Sequence, residues 1–567
     1  MSRVTLGLCA YTHDSAAALL VNGNLVGFCE EERLNGVKHS NAFPQQSIDW
    51  LLREARLSAR DVTAVAYNFV PGRYLGALSQ LPAHLLRPAT AARAIARARS
   101  FVTVARRTQA RLRGLKRRFP DARMVPVLHH RAHAWTAWLS SGYDRAAVLV
   151  VDSLGEVQTT TIWRADTDTD QPLALVSDLD DPASLGYAYG AITEHLGWRR
   201  GDEEGTVMAL AAHGDQRRFK ELMYQAIPAD EAGFALNARL LPLRVLSRRY
   251  GRISEAFMAA TCPPRRPGDS VEQVHADLAA ALQERTEQVM TSLAARTRRM
   301  TGARLLCVGG GVAMNSVSIG RIVAAGFFDE VHVPVAPGDS GTAIGVAADA
   351  WYSATGKLPV GVEGRCYLGP SFAGMELPTL SRPGLVAVKV DRPAGFLARH
   401  LADGKIVGLY TGALEAGPRA LGHRSILASP LEANVVDRLN ATVKYREPFR
   451  PFAPVVLAHR ASDYFVLRQP SPFMSIAVPA TDYARRMIPA VVHRNGTARV
   501  QTVTASHNPF LTQVLEVFGQ ITGHPVLINT SLNIKGKPIC GTPDMALDCL
   551  AESGLDALLI DGWWVTK

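Results

Sequence analysis

The stretch 146–163, AAVLVVDSLGEVQTTTIW, repeats the theme on which the chain opens. An apolar, β-prone run ends at an Asp, turns on a Gly and continues as a second strand pattern. The opening reads RVTLGLCAY, then DSAAALLV, the turn NGN, and LVGFCEEER. Its Asn-Gly dipeptide is a hairpin signal. A further relative is ARLLCVGGGVAMNS, where a strand runs into glycines and then a helix. EVHVPVAPGDSGTAIGVAADAW follows with strand, Gly-Asp turn and helix. Recurrence of this kind predicts a duplicated α/β core.

At 567 residues the chain is too long for one ordinary domain. Residues 43–58 and most of 85–118 read as helix. Residues 359–384 carry Gly and Pro with little periodicity, and we read them as a linker. The segments GKIVGLYTG, FAPVVLA, MSIAVPA, ARVQTVTA and HPVLINTS beyond it are short strands among a few helices. The expected organisation is a first domain over 1–358, the linker, and a second α/β domain over 385–567.

No apolar run approaches a membrane span, and the N-terminus has no signal-peptide core. Seven scattered cysteines without a C-x-x-C pair argue against a disulfide framework or a structural zinc site. A reducing cytoplasm is the expected location. The net charge of +11 sits in residues 87–118, which hold eleven Arg or Lys and no acid. That run is either a solvated helical face or a surface for an anionic partner. It lacks interleaved aromatics, so nucleic acid is not the expected partner.

The histidines of VLHHRAHAWTAW set a chemical question. His129 and His133 fall one helical turn apart, on one face. Two imidazoles so placed can hold a divalent metal, and no H-E-x-x-H Glu is present. Asp152 and Asp339 are carboxylates beside Gly turns, a feature common in plain loops. With the histidines they make a set of N/O donors. Gly309, Gly310 and Gly311, followed by Asn315, form a turn of the kind that faces phosphates. His13 is either packing or a general base near the mouth of the first hairpin. In the second domain, Arg419, Arg424, Lys444, Arg446, Arg450 and Arg499 interrupt apolar, Pro-bounded stretches, near Asn529, Ser531 and Asn533. Such cations predict a pocket for a small, multiply charged anion.

The motifs HDSAAALLVNGNLVGFCEEER, LHHRAHA, GGGVAMN, PGDSGTAIG, GPRALGHRSIL, REPFRPFAPVV and LINTSLN occur in this order. In them the chain resembles the antibiotic and nodulation O-carbamoyltransferases over nearly its whole length. The resemblance implies an actin-like ATPase fold followed by a YrdC-like domain. It implies that ATP and carbamoyl phosphate form carbamoyl adenylate in the second domain, with Arg419, Lys444, Arg450, Arg499 and Ser531 as contacts. The carbamoyl group then moves to a hydroxyl of a small molecule in the first domain. There His129, His133, Asp152 and Asp339 would bind a divalent metal, iron above all, with magnesium or manganese as alternatives. His13 would be the base, and Lys38 would lie near the phosphates. His130 is expected off the metal face.

Three positions depart from the family pattern: Thr206 stands where Lys is frequent, His213 where Tyr is, and Lys537 where Glu is. The acceptor is not written in the sequence; antibiotic biosynthesis is the expected setting, and a homo-oligomer is compatible with it. The alternative reading is a tRNA threonylcarbamoyl-type modification enzyme, with 87–118 as its tRNA contact. The domain order and the second-domain cations speak against it.

Overall fold

The structure is a computed structural model that describes residues 2–247, 249–372, 374, 382–432 and 434–567. The chain divides into two compact units, Met1–Val26 with Leu51–Gly364, and Gly27–Trp50 with Arg365–Lys567.

The first unit is built on two five-stranded sheets. One contains β1 (Val4–Cys9), β2 (Ala16–Val21), β3 (Asn24–Glu30), β4 (Ala64–Tyr67) and β5 (Arg123–Pro126), in the order β3-β2-β1-β4-β5. β3 passes from the first unit into the second at Gly27. β1 runs antiparallel to β2 and parallel to β4. The β2–β3 turn places Asn22 and Gly23 both at positive φ, which is what an Asn-Gly hairpin requires.

The other sheet contains β6 (Arg145–Val151), β7 (Gln158–Asp166), β8 (Leu173–Asp180), β11 (Leu305–Gly309) and β12 (Glu330–His332). Between them in sequence, β9 (Ala229–Asp230) and β10 (Gly233–Phe234) form a small separate hairpin. The order is β12-β11-β6-β7-β8, with β6 antiparallel to β7 and parallel to β11. Strand for strand this is the connectivity of the first sheet. The duplicated core expected from the sequence is therefore present.

The helix Thr342–Thr355 packs on β1, β2 and β4, and the helix His129–Leu139 packs on β6, β7 and β11. These two helices also pack on each other. Gly345 makes the close approach possible: a Cβ there would stand 1.9 Å from the carbonyl oxygen of Ala132. Trp135 and Trp138 fill the core beneath the histidine helix. The basic run forms one helix, Pro88–Arg118. It buries Thr90, Ala94, Arg97, Phe101, Ala105, Thr108, Leu112 and Leu115 along one side. Solvent faces the rest, including Arg106, Arg107, Arg113 and Arg117.

The second unit contains β13 (Tyr367–Ser371), β14 (Val386–Lys389), β15 (Val407–Tyr410), β16 (Ala413–Glu415), β17 (Arg424–Ala428), β18 (Ala453–Leu457), β19 (Ile476–Pro479), β20 (Thr497–Val503), β21 (Val526–Ser531), β22 (Ala557–Ile560) and β23 (Trp563–Thr566). Nine of them form one mixed sheet, β14-β23-β22-β15-β17-β21-β18-β20-β19. The helices Pro393–Ala402 and Pro509–Thr522 cover its apolar face through Leu397, Leu401, Leu511, Val514 and Phe518.

Within the stretch read as a linker, Tyr367–Ser371 is a strand, antiparallel to β16. Its period-2 signal is too short to show between the surrounding Gly and Pro. Residues 373 and 375–381 of that stretch lie outside the described residues. The grouping of residues 27–50 with the second unit has a physical basis. Arg33 is buried, pairs with Glu32 at 2.9 Å and donates to the carbonyl of Gly417. Glu30 accepts the Gly417 N–H at 2.8 Å.

Candidate active site

His129 and His133 occupy the first turns of their helix, both buried, with their Nε2 atoms 3.1 Å apart. Asp152 follows β6, and Asp339 sits in the Gly-Asp turn before the helix Thr342–Thr355. His129 Nε2 lies 3.4 Å from an oxygen of each carboxylate, and His133 Nε2 lies 3.8 Å from Asp339. One donor atom from each of the four residues falls within 4.8 Å of the others. The two carboxylates follow β6 and β12 of the second sheet, and the histidine helix follows β5 of the first, so both halves of the duplicated core contribute to the cluster.

Supporting groups hold the donors. Gly311 N–H donates to Asp152 Oδ1 at 3.0 Å, which ties the glycine turn to the cluster. Gly310 has φ +88°, and a Cβ there would stand 2.3 Å from the Val151 carbonyl oxygen. Glu156 is buried and accepts the N–H groups of Val70 and His129. The Phe69 ring stacks on His129 at 4.8 Å. Glu156 and Phe69 are contributions that sequence reading missed; an acid inside the apolar-flanked SLGEV was the available signal for the first. Asn315 uses its side chain to cap the helix Ser316–Ala325 and to pair with Gln283.

The electrostatics are those of a cation site. Desolvation works against the charge of His129, Asp152 and Asp339. It is outweighed at Asp339, held well below the usual carboxylate range by His13 and His129. The same holds for Asp152, lowered chiefly by its hydrogen bond with His129. His129 is raised well above an ordinary imidazole by Asp339 and Asp152. A buried group of two carboxylates and two imidazoles, with facing nitrogens, suits a divalent transition metal. His130 differs: it is buried, contacts Thr161 Oγ1 at 3.2 Å, and burial lowers it to about 3. As expected, it lies off the donor cluster.

His13 stands beside the cluster with about half of its side chain open to solvent, 54%. Its Nδ1 contacts Asp14 at 2.8 Å and its Nε2 lies 3.7 Å from Asp339. Tyr11 and Asp14 on either side have φ of +67° and +60°, a costly backbone for residues with side chains. Against desolvation, Asp339 and Asp14 raise His13 to about 10.

The second unit holds a separate, cationic site. Lys444 ends a π-helical turn, Leu439–Lys444, a form frequent at functional positions. It is 5% exposed, and its ammonium donates to the Ser531 carbonyl, Ser531 Oγ and both oxygens of Asn533. Burial first, and the charge of Arg446 second, bring it down to about 7. Arg419, Arg446, Arg450 and Arg499 repel one another. Desolvation and Arg450 lower Arg419 to about 10, and the same two causes lower Arg446 to about 9. Arg499 falls well below its ordinary value, and its Nε is buried without a hydrogen-bond partner. Glu447 lies at the edge, 4.0 Å from Arg450.

Arg424, grouped with these cations by sequence, differs from them. It is fully buried, stacks on Tyr410 at 3.6 Å and donates to the carbonyls of Thr411, Gly412 and His423. Its guanidinium holds the loop rather than facing an open site. Glu415, which sequence reading also missed, shapes the same loop by accepting the N–H groups of Leu421, His423 and Arg424. Asn529 bonds to Gln501 and the Ala420 carbonyl. Lys38 belongs to this second unit, whereas the glycine turn belongs to the first.

Residues 4–348 match the model of the carbamoyltransferase N-terminus, and residues 398–567 match that of the carbamoyltransferase C-terminus. The chain belongs to the carbamoyltransferase family. Nodulation protein NolNO of Sinorhizobium fredii is 32% identical over 98% of this chain and 79% of its own length. Nodulation protein U of Bradyrhizobium diazoefficiens is 39% identical over 45% of this chain and 43% of its own length. Protein sll1178 of Synechocystis sp. is 34% identical over 99% of this chain and 96% of its own length. This carbamoyltransferase is therefore matched from end to end, and the resemblance read from its seven motifs holds. No helix among its described residues is long and apolar enough to cross a membrane.

Proposed function

We propose that this carbamoyltransferase is an ATP-dependent O-carbamoyltransferase acting through carbamoyl adenylate on a hydroxyl of a small molecule, in natural-product (antibiotic) biosynthesis. The observation that carries this reading is the separation of two chemistries. A cluster of cations sits in the second unit, and a metal-type donor cluster with an adjacent imidazole sits in the first. In this reading residues 1–358 are an actin-like ATPase-fold transfer domain, and the duplicated sheet topology supports that. Residues 385–567 are the YrdC-like adenylating domain, with 359–384 joining the two.

Adenylate formation combines carbamoyl phosphate, ATP and one water into carbamoyl adenylate, pyrophosphate and phosphate. Lys444, Arg419, Arg450 and Arg499 bind the anions, since fixed guanidinium and ammonium groups match phosphate oxygens. Ser531 positions Lys444 and meets the substrate beside it.

Transfer forms a bond from the acceptor oxygen to the carbamoyl carbon, and the bond to AMP breaks. The hydroxyl proton goes to His13. Two imidazoles and two carboxylates, His129, His133, Asp152 and Asp339, would hold a divalent metal, with iron as the first candidate. When bound, it supplies Lewis-acid polarisation of an oxygen. With a divalent cation held there, the charge of Asp339, the main source of the rise at His13, would be offset, and His13 would be available as a free base. Asp14, at 2.8 Å, orients that ring.

The test follows AMP in mixtures of enzyme, ATP and carbamoyl phosphate, with and without hydroxylated metabolites. Carbamoyl-phosphate-dependent AMP release, and one added carbamoyl group on a metabolite by mass spectrometry, are expected. AMP release that does not depend on carbamoyl phosphate would overturn the reading.

A further inference from the structure

The basic helix Pro88–Arg118 withdraws three of its arginines from full exposure: Arg93, Arg97 and Arg111. Two of them have an obvious structural task. Arg93 donates to the Gly251 carbonyl at 2.7 Å, and Arg97 pairs with Asp181 at 3.1 Å. Arg111 has neither a carboxylate nor a carbonyl partner among the described residues. Its guanidinium lies 5.3 Å from the centre of the Tyr11 ring and within reach of the Tyr67 hydroxyl. Contact with a ring holds a guanidinium without consuming its N–H donors, so most of its five stay unused.

The position of Arg111 gives those donors a purpose. Tyr67 donates to the Ala10 carbonyl at 3.2 Å, and Ala10 and Tyr11 lead directly into His13. Tyr11 and His13 are two residues apart, which keeps their Cα atoms within about 7.6 Å. On the other side, Tyr67 packs edge-on against Phe69 at 5.9 Å, and Phe69 stacks on His129 of the donor cluster. Tyr74 packs on Phe69 at 6.1 Å, and the charges of Arg111 and Asp339 both act on its hydroxyl. Arg111 thus borders the loop that carries His13, and Tyr67, Phe69 and Tyr74 join it to the metal-type cluster. All of these residues belong to the first unit.

Charge then selects what meets Arg111. The nearby carboxylates are engaged, Asp14 with His13 and Asp339 with both His13 and the cluster. The helix itself carries no acid. A single guanidinium matches a singly charged carboxylate in a bidentate pair. Phosphate, with its higher charge, is matched in this chain by the several cations gathered in the second unit.

We propose that Arg111 binds a carboxylate of the carbamoyl acceptor while His13 meets its hydroxyl, so that the acceptors are hydroxy acids. The inference rests on the O-carbamoyltransferase reading above and deepens it by naming the acceptor class.

The probes are D-glucuronate, D-glucose and D-glucosamine, one skeleton with three charges. Mass spectrometry reads initial rates of carbamoylation with ATP and carbamoyl phosphate. The chains compared are wild type, Arg111→Gln, Arg111→Lys, Arg111→Glu and Arg113→Gln, the last at a solvent-facing cation of the same helix. Wild type is expected to use glucuronate best and glucosamine least. In Arg111→Gln the KM for glucuronate is expected to rise about 10–100-fold, the effect of losing a hydrogen bond to a charged group, with kcat nearly unchanged. Arg111→Lys should recover part of this, Arg111→Glu should favour glucosamine over glucuronate, and Arg113→Gln should match wild type. A merely structural role would lower kcat for all three sugars alike, and that result overturns the proposal. So does wild type that leaves glucuronate unmodified or uses the three sugars equally, or an equal KM rise in Arg113→Gln.

Carbamoyl-phosphate-dependent pyrophosphate release is scored separately for each chain. Its presence without any effect of Arg111 on sugar preference overturns the carboxylate site alone. Its absence from wild type overturns the O-carbamoyltransferase reading. Saturation-transfer NMR then judges the site by itself: glucuronate that binds wild type and not Arg111→Gln sustains it, and equal binding, or none, overturns it.

Discussion

The Nε2 atoms of His129 and His133 face each other at 3.1 Å, between the carboxylates of Asp152 and Asp339. A single proton satisfies one such contact, whereas a divalent cation satisfies all four groups at once. His129→Ala and Asp339→Ala are therefore expected to retain far less metal than wild type. Loss even of an outer partner costs about 10–100-fold in affinity. His130→Asn is the control: full metal, with a stability loss of about 0.5–1.5 kcal/mol from its weakened Thr161 contact. Elemental analysis after dialysis against iron or manganese reads both. Full metal in His129→Ala would remove the cluster from the mechanism.

His13 lies between Asp14 and Asp339 in the first unit, whereas Arg419, Lys444, Arg450 and Arg499 belong to the second. Replacing His13 should separate the half-reactions. His13→Ala is expected to keep carbamoyl-phosphate-dependent pyrophosphate release, which reports carbamoyl adenylate formation, and to lose transfer by about 10²–10⁴-fold, the usual range for a positioned base. Product formation at the wild-type rate in His13→Ala ends its assignment as the base.

Asp181 receives Arg97 from the basic helix and Arg244, with all three side chains buried. Removing one charge from such a group strands the others. Asp181→Asn leaves two buried guanidinium groups without a counter-charge and is expected to cost about 3–5 kcal/mol. Thermal and urea unfolding measure it. A loss below 1 kcal/mol would show that water solvates the two arginines.

The strands and the donor set were legible because each carries a local signal. Continuous apolar, β-prone runs marked β1, β2 and β6, the Gly turn after Asp152 marked β7, and the i, i+4 spacing placed His129 and His133 on one face. The glycine turn was read only as one that faces phosphates, and its bond from Gly311 to Asp152 had no local signal, since it joins residues 159 positions apart. What stayed hidden is non-local. Arg424 reads like Arg419 in GPRALGHRS, yet it packs on Tyr410 while Arg419 joins the cationic cluster. Composition cannot separate them, because the difference lies in what folds against each. Likewise EEER looks like a solvated acidic turn, and only the partner loop at Gly417 shows Glu30 and Arg33 to be interior.

Lys444 is brought to about 7 by burial and by Arg446, against 10.5 for an ordinary lysine. The folded chain thus holds fewer protons than the unfolded chain between these values. Linkage then makes this lysine's effect on stability unfavourable at pH 7 and below, and the penalty recedes as pH rises from about 7 towards 10.5. An anion bound against the ammonium reverses the shift, because it favours the charged form. At pH 8 about nine-tenths of Lys444 is neutral, so binding carbamoyl phosphate should take up close to one proton. At pH 6 the lysine is already charged and uptake should approach zero. Calorimetric titration in Tris and in HEPES gives the count from the difference in apparent enthalpy. Lys444→Met should bind more weakly, lose the uptake at pH 8 and retain its full metal content. Uptake at pH 8 that persists in Lys444→Met would assign the proton to another group, with Arg446, lowered to about 9, the next to test.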